Sequence, residues 1–190
     1  MLNNSIKKGS LFIISGPSGA GKGTIVKKVL PLFPDMVLSV SATTRLPRQN
    51  EKNGVDYFFI DKADFLKMIA DSEFLEYDDH FENYYGTPKR FVFEKLDEGK
   101  DVLLEIDVRG ALKVKSNYPD AVAVFVMPSS TEELKKRLVR RNTESVEAIE
   151  KRLARVEKEL ELKHRYDFIV INDDLDTAVK QVEQIIKENR

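Results

Sequence analysis

The 190-residue chain has no cysteine, no tryptophan and only two histidines, His80 and His164. The missing cysteine removes disulfides, thiolate metal sites and a cysteine nucleophile together. Two histidines with no motif around either argue against a multi-histidine metal site and read as surface residues. Net charge is missing too. The 31 Lys and Arg against 32 Asp and Glu leave −1 at pH 7, so there is no global basic field for nucleic acid, while a local basic site stays open. No stretch approaches the roughly 20 consecutive apolar residues of a membrane span. The opening MLNNSIKKGS is polar and runs straight into a short apolar segment. It lacks the longer apolar region and cleavage site of a secretory leader. A cytoplasmic location is the expectation.

What the chain does have is an ordinary globular balance, 42% hydrophobic and 33% charged, and enough length for one domain with its own core. Short apolar runs without alternation, Leu11 to Ser15, Val102 to Asp107, Ala121 to Val126 and Phe168 to Ile171, read as strands covered on both faces. Stretches with helical spacing separate them: Thr24 to Phe33, Gly110 to Ser116, Thr131 to Arg141, Val146 to Lys163 and Leu175 to Glu188. That alternation predicts an α/β fold, a parallel sheet flanked by helices. From about Val37 to Tyr85 the pattern changes to alternating β pieces, several aromatics and one clear helix, Lys62 to Ala70, which reads as a small mixed insertion. The segment Thr131 to Leu162, rich in Arg, Lys and Glu, reads as a surface helical hairpin. The expected division of the single domain is a core over about 1–36, 88–130 and 163–190, an insertion over about 37–87 and a helical lid over about 131–162.

The sharpest motif is GPSGAGKGT, comprising Gly16, Pro17, Ser18, Gly19, Ala20, Gly21, Lys22, Gly23 and Thr24, set between a strand and a helix. Glycines let backbone N–H groups converge on phosphate, the helix N-terminus adds positive potential, and Lys22 supplies a cation to the β/γ-phosphates. The pattern asks for Ser or Thr after the lysine. Here that position is Gly23, so Mg²⁺ arriving with ATP is expected to be held through water near Thr24, and no direct protein ligand is assigned. A phosphate-binding loop alone does not choose a reaction. The late strands carry no NKxD-type guanine motif, which disfavours a GTPase, and the chain is short for a motor ATPase.

Further along, SVSATTRLPR (39–48) brings Arg45 and Arg48 close to one turn, a pair suited to a phosphate dianion. GVDYFF (54–59) follows. EFLEY (73–77) places Glu76 among aromatics, ahead of NYYGT (83–87). Asp107 ends an apolar strand, with Glu105 two residues earlier on the same face. Arg137 and Arg141 lie i, i+4 on one helical face.

These motifs, with VLLEIDVRGA (102–111), LKKRLVRR (134–141) and VINDDLD (170–176), resemble the guanylate kinases in order and spacing from about Gly9 to the last helix. The resemblance implies a P-loop NTPase-type core with a GMP-binding insertion and a lid. It also implies transfer of the γ-phosphoryl of ATP to GMP, giving ADP and GDP for guanine nucleotide synthesis and recycling. By the same resemblance Arg45, Arg48, Tyr57 and Tyr85 hold the GMP phosphate. Ser41, Glu76, Thr87 and Asp107 contact guanine, and Asn172 lies near the adenine side of ATP. Arg137, Arg141 and Arg152 reach from the lid to the transferring phosphates, joining Lys22 and Arg45 as the catalytic set. Glu76 has a logic of its own: a carboxylate accepts from guanine N1–H and the 2-amino group together, whereas adenine offers an acceptor at N1. The partners implied are ATP and GMP, with neither nucleic acid nor membrane, and a homo-oligomer stays open. Two other readings remain at this stage: a related P-loop kinase acting on AMP or a ribose bisphosphate, and a guanylate-kinase-like protein-interaction domain without catalysis.

Overall fold

The computed structural model describes residues 7–80, 83–139 and 146–190, with their side chains except at 80, 138–139 and 146–153. In chain order the elements are β1 (Leu11–Ser15), α1 (Lys22–Val29), β2 (Val37–Leu38), β3 (Ala42–Thr43), β4 (Phe58–Phe59), α2 (Lys62–Ala70), β5 (Phe74–His80), β6 (Asn83–Pro88), α3 (Lys89–Asp97), β7 (Val102–Glu105), α4 (Val108–Asn117), β8 (Val122–Met127), α5 (Thr131–Val139), α6 (Val146–Glu161), β9 (Phe168–Ile171) and α7 (Leu175–Glu188).

β1 is LFIIS, buried at every position, because it is the central strand of a five-stranded sheet ordered β2-β7-β1-β8-β9. All its pairings are parallel. Alternate residues face opposite layers. Phe12 and Ile14 pack with Ile25, Val29, Val182 and Ile186 of α1 and α7. Leu11 and Ile13 pack with Val92, Ala111 and Val114 of α3 and α4. Phe12, Ile13 and Ile14 are each no more than 1% exposed, and burial of this kind stabilises the fold by about 1.5–3 kcal/mol per side chain. The expected α/β class, a parallel sheet between two helical layers, is what the chain adopts.

A second sheet, four strands in the order β4-β3-β6-β5, stands beyond the strand ends. It is mixed: β3 and β4 are parallel, whereas β3–β6 and β5–β6 are antiparallel. Its own core is Ala42, Phe65 of α2 and Phe74 of β5, the two rings stacked at 4.4 Å.

Several elements depart from the sequence expectations. Val37–Leu38 pairs with β7 in the larger sheet, so the chain leaves that sheet only after Leu38, rather than at 37. The helix α3 was not foreseen; it starts directly after Pro88 and buries Val92 and Leu96, with Phe91 and Phe93 packed against the same core. Asp107 is not the last residue of a strand. β7 stops at Glu105, and the Asp107 carboxylate caps α4 by accepting from Gly110 N–H at 2.7 Å. Helix α1 begins at Lys22 and gives way at Leu30 to a 3-10 turn holding Pro31, as a ring without an N–H requires.

The frame's tightest point is the exit from β1. Gly16 has φ 141°, and a Cβ there would lie 2.0 Å from Val126 O of the neighbouring strand. Gly16→Ala should therefore destabilise the protein by about 3 kcal/mol or more, since strain and overlap add. Urea unfolding measures it, and a loss within experimental error of zero would contradict this packing.

Candidate active site

The loop from Gly16 to Gly21 crosses the C-terminal end of β1, where open parallel sheets bind ligands. Gly21 sits at the helix N-cap in the left-handed region, φ 90°, so it directs the first N–H groups of α1 back toward the loop interior. Lys22 leans over this turn and donates to Gly16 O at 2.7 Å and Pro17 O at 3.1 Å. Beneath the loop lies Asn172, 5% exposed, immediately after β9. Its Nδ2 donates to Ala20 O at 2.8 Å. A Cβ on Gly21 would meet that amide at 2.3 Å. Asn172 was expected near adenine. Its side chain is buried and bonded to the phosphate loop. Arg137 donates from Nη1 to Asn172 O at 2.9 Å and from Nε to Glu133 Oε1 at 3.0 Å, which ties α5 to the same strand end.

Across the sheet edge, a cavity of about 250 Å³ opens between the two sheets; Lys22, Ser41, Tyr57, Glu76, Tyr85 and Asp107 are on its wall, with Asp78 and Glu105 beside them. Glu76 of β5 is 7% exposed. Its Oε1 accepts from Thr87 Oγ1 at 2.7 Å, and Thr87 is fully buried opposite it in β6. Gly110 makes room for this carboxylate, since a Cβ there would approach Glu76 Oε2 to 2.5 Å. Burial, aided by the nearby Asp107 charge and opposed by the Thr87 hydroxyl and Lys113, pushes the Glu76 carboxyl up to about 7.

At the outer end of the cavity, Arg45 lies over the Tyr57 ring, 5.5 Å from its centroid, and Tyr57 meets Tyr85 edge-on at 6.0 Å. Glu51 takes both arms of the Arg45 fork at 2.9 Å and also accepts from Arg48 N–H at 2.7 Å. Arg48 itself is exposed. Thus Arg45, Tyr57 and Tyr85 converge, with Arg48 on the rim. Of the lid residues, Arg141 lies outside the described residues. Arg152 falls on α6, but its side chain lies outside them.

A second cavity, about 330 Å³, follows the loop past Ser18, Gly19 and Gly21 to Thr24. Lys22 and Glu105 line both cavities, so the two sites meet at these side chains. The Glu105 carboxylate is solvent-accessible but set in this concave junction. Desolvation raises its pKa, and Lys22 and Lys27 oppose the rise. Gly23 matters here, because a Cβ on it would sit 3.2 Å from Glu105 Oε1.

Three residues of the site were missed in the sequence. Asp78 could have been found as the residue two after Glu76, hence on the same strand face. Glu51 carries no periodic signal, being a loop acid that meets Arg45 only through the turn. Arg155 joins Asp107 across 48 residues, Nη2 to Oδ2 at 3.1 Å, a contact no local pattern encodes.

A sequence model of the guanylate kinase family matches residues 8–189. Among curated relatives, a guanylate kinase of Caldanaerobacter subterraneus subsp. tengcongensis is 51% identical over 183 residues, covering 96% of this chain and 89% of that protein. One from Clostridioides difficile is 49% identical over 185 residues, covering 97% and 90%. The crystal structure of a guanylate kinase from Anaplasma phagocytophilum superposes with a TM-score of 0.78 at 31% identity, covering 96% of this chain and 86% of that one.

The buried acid gives a stability signature. A carboxyl near 7 when folded and 4.5 in its ordinary state favours the folded form fully below 4.5, and that advantage is lost as pH rises through 7. The stability difference between wild type and Glu76→Gln should therefore move against wild type by on the order of 3 kcal/mol from pH 4 to pH 8. Denaturant titrations across that range test it, and a difference independent of pH would contradict the assignment.

Proposed function

The chain belongs to the guanylate kinase family, and on that premise we propose how its residues move the γ-phosphoryl of ATP to GMP, giving ADP and GDP. The observation that carries the reading is the pair of cavities joined at Lys22, one lined by the phosphate loop and the other floored by a buried carboxylate. The acceptor is a phosphate oxygen already anionic near neutral pH, so the reaction needs no strong base. Its obstacle is the approach of two polyanions.

GMP takes the cavity between the sheets. Glu76, steadied by Thr87, accepts from guanine N1–H and the 2-amino group, with Ser41 and Asp107 completing the base contacts. Arg45, Arg48, Tyr57 and Tyr85 receive the phosphate at the outer end. Glu51 keeps the Arg45 fork in place there, so the guanidinium pays little orientational entropy when the anion arrives. ATP lies along the phosphate loop, its β- and γ-phosphates on the loop N–H groups that are not already bonded to backbone carbonyls, as those of Ala20 and Thr24 are. Asn172 serves ATP indirectly, by supporting that loop. Lys22 leaves its loop carbonyls for the phosphates and, standing between the two cavities, stabilises charge on the group in transit.

The hard-oxygen lining of the ATP cavity, with the exposed Thr24 hydroxyl and the Glu105 carboxylate and no side chain at Gly23, fits a hydrated Mg²⁺ held through water. When bound with ATP, that ion supplies neutralisation of the β/γ-phosphate charge. Arg137, Arg141 and Arg152 would add cations from the lid, residues 131–162, as it and the insertion fold over the substrates and exclude water. AMP in place of GMP would leave the Glu76 carboxylate facing an acceptor at N1, a mismatch in a desolvated site.

Two results follow. Lys22→Ala should lower kcat by on the order of 10²-fold or more with the fold intact; near-normal turnover would overturn the loop assignment. Glu76→Gln should cost GMP about 1–3 kcal/mol in kcat/KM while sparing AMP, because the new amide donor faces a guanine donor but can serve adenine N1. Coupled ADP-release assays with GMP, dGMP, AMP, CMP and UMP read both, and an unchanged GMP-to-AMP ratio in a folded variant would remove Glu76 from base recognition.

A further inference from the structure

Arg155 stands on α6, in the stretch assigned to the lid, yet its guanidinium reaches the acceptor cavity. Nη2 lies 3.1 Å from Asp107 Oδ2 and 4.0 Å from Asp78 Oδ2, and Nε donates to Glu159 Oε1 at 2.8 Å. Asp107 belongs to the core sheet side, at the N-cap of α4, whereas Asp78 comes from β5 of the smaller sheet. One side chain therefore touches elements of all three parts of the molecule.

The acids need it. Glu76 and Asp78 of β5 and Asp107 share one wall of the cavity. Asp78 Oδ2 is buried without a hydrogen-bond partner, and Asp78 Oδ1 has Arg109 of α4 no nearer than 3.9 Å. Burial first, then the Asp107 charge and a side-chain hydrogen bond with Asp107, push the Asp78 carboxyl up, against the pull of Arg109 and Lys113. Asp107 is fixed from two directions: Oδ1 on Gly110 N–H and Oδ2 on Arg155. Without the guanidinium, Asp107 would keep Gly110 N–H but lose its outer anchor and face Asp78 with no cation bridging the two, so its carboxylate would rotate away from the base.

We propose that Arg155 is a positioning residue for the acceptor, which by bridging Asp107 and Asp78 from α6 holds the acids of the acceptor cavity in place. This rests on the GMP site described above and deepens it. Nη2 already bonds Asp107 and stands 4.0 Å from the Asp78 oxygen that has no hydrogen-bond partner, so the same guanidinium faces both acids. Arginine suits the position, because its planar fork can serve two carboxylates at once and a lysine ammonium cannot hold the same geometry.

Steady-state kinetics of the full chain with ATP and GMP, for wild type, Arg155→Gln, Arg155→Lys, Asp78→Asn and the double variant Asp78→Asn/Arg155→Gln, test it. Arg155→Gln should raise the KM for GMP by about tenfold while the KM for ATP stays within about twofold, and Arg155→Lys should recover only part of the loss. With Asp78 already neutral, the same Arg155→Gln change should cost GMP no more than about threefold, the non-additivity expected of residues in one ion-pair network. Equal losses for both substrates, full recovery by lysine or an additive double variant would each reduce Arg155 to general support of α6 and overturn the proposal. Unchanged GMP kinetics in Arg155→Gln would overturn it while leaving the GMP site standing, whereas a wild-type protein that phosphorylates no GMP would overturn both.

Discussion

Everything at the acceptor site turns on one constraint: a carboxylate, Glu76, is held almost fully buried on the wall of a cavity between the sheets. Left alone, Glu76 keeps its proton well above the ordinary range, because burial, with the Asp107 and Asp78 charges, outweighs the Thr87 hydroxyl and Lys113. A ligand with two adjacent donors removes that penalty, so the energy of desolvating the acid becomes selectivity for guanine. The surrounding structure is arranged to keep this cost in place. Gly110 admits the carboxylate where a methyl group would overlap it, β6 delivers Thr87 opposite it, and the smaller sheet exists as a scaffold for both.

The other half of the molecule solves the converse problem of gathering positive potential from backbone. The parallel sheet brings β1 to a halt at Gly16. Gly21 then starts α1 in a left-handed turn, and Asn172 braces the loop from beneath. Such a site accepts phosphate through N–H groups that are already oriented, and Lys22 adds a charge that lines both cavities. Glu105 stands at the junction, 3.2 Å from where a Cβ on residue 23 would lie.

The sequence revealed the phosphate loop and the strand sequence of the core because both are local. The loop is nine consecutive residues, and β1, β9, α2 and α7 begin and end where their apolar spacing says they should. Long-range relations were hidden. Val37–Leu38 reads like part of the insertion, and only its pairing with β7 assigns it to the core sheet. Asn172 was legible as a polar residue after a strand but not as a loop support, since its partner Ala20 lies 152 residues away. The same holds for Arg155, one of many cations on a charged helix until the fold sets it beside Asp107 and Asp78. Asp107 lines the cavity as a helix N-cap rather than as a strand end, because the two share the same sequence signature when the connection is this short.

The account makes proton movement the direct mark of base recognition. Glu76 carries a partial proton in the free protein near neutral pH and must lose it to accept from guanine. Calorimetry of GMP binding to wild type and to Glu76→Gln, in buffers of different ionisation enthalpy, measures the protons released. At pH 7 the wild type should release about half a proton more than the variant, rising toward one at pH 6, as a group near 7 requires. Equal proton release by the two proteins would contradict the claim that this buried carboxylate reads the base.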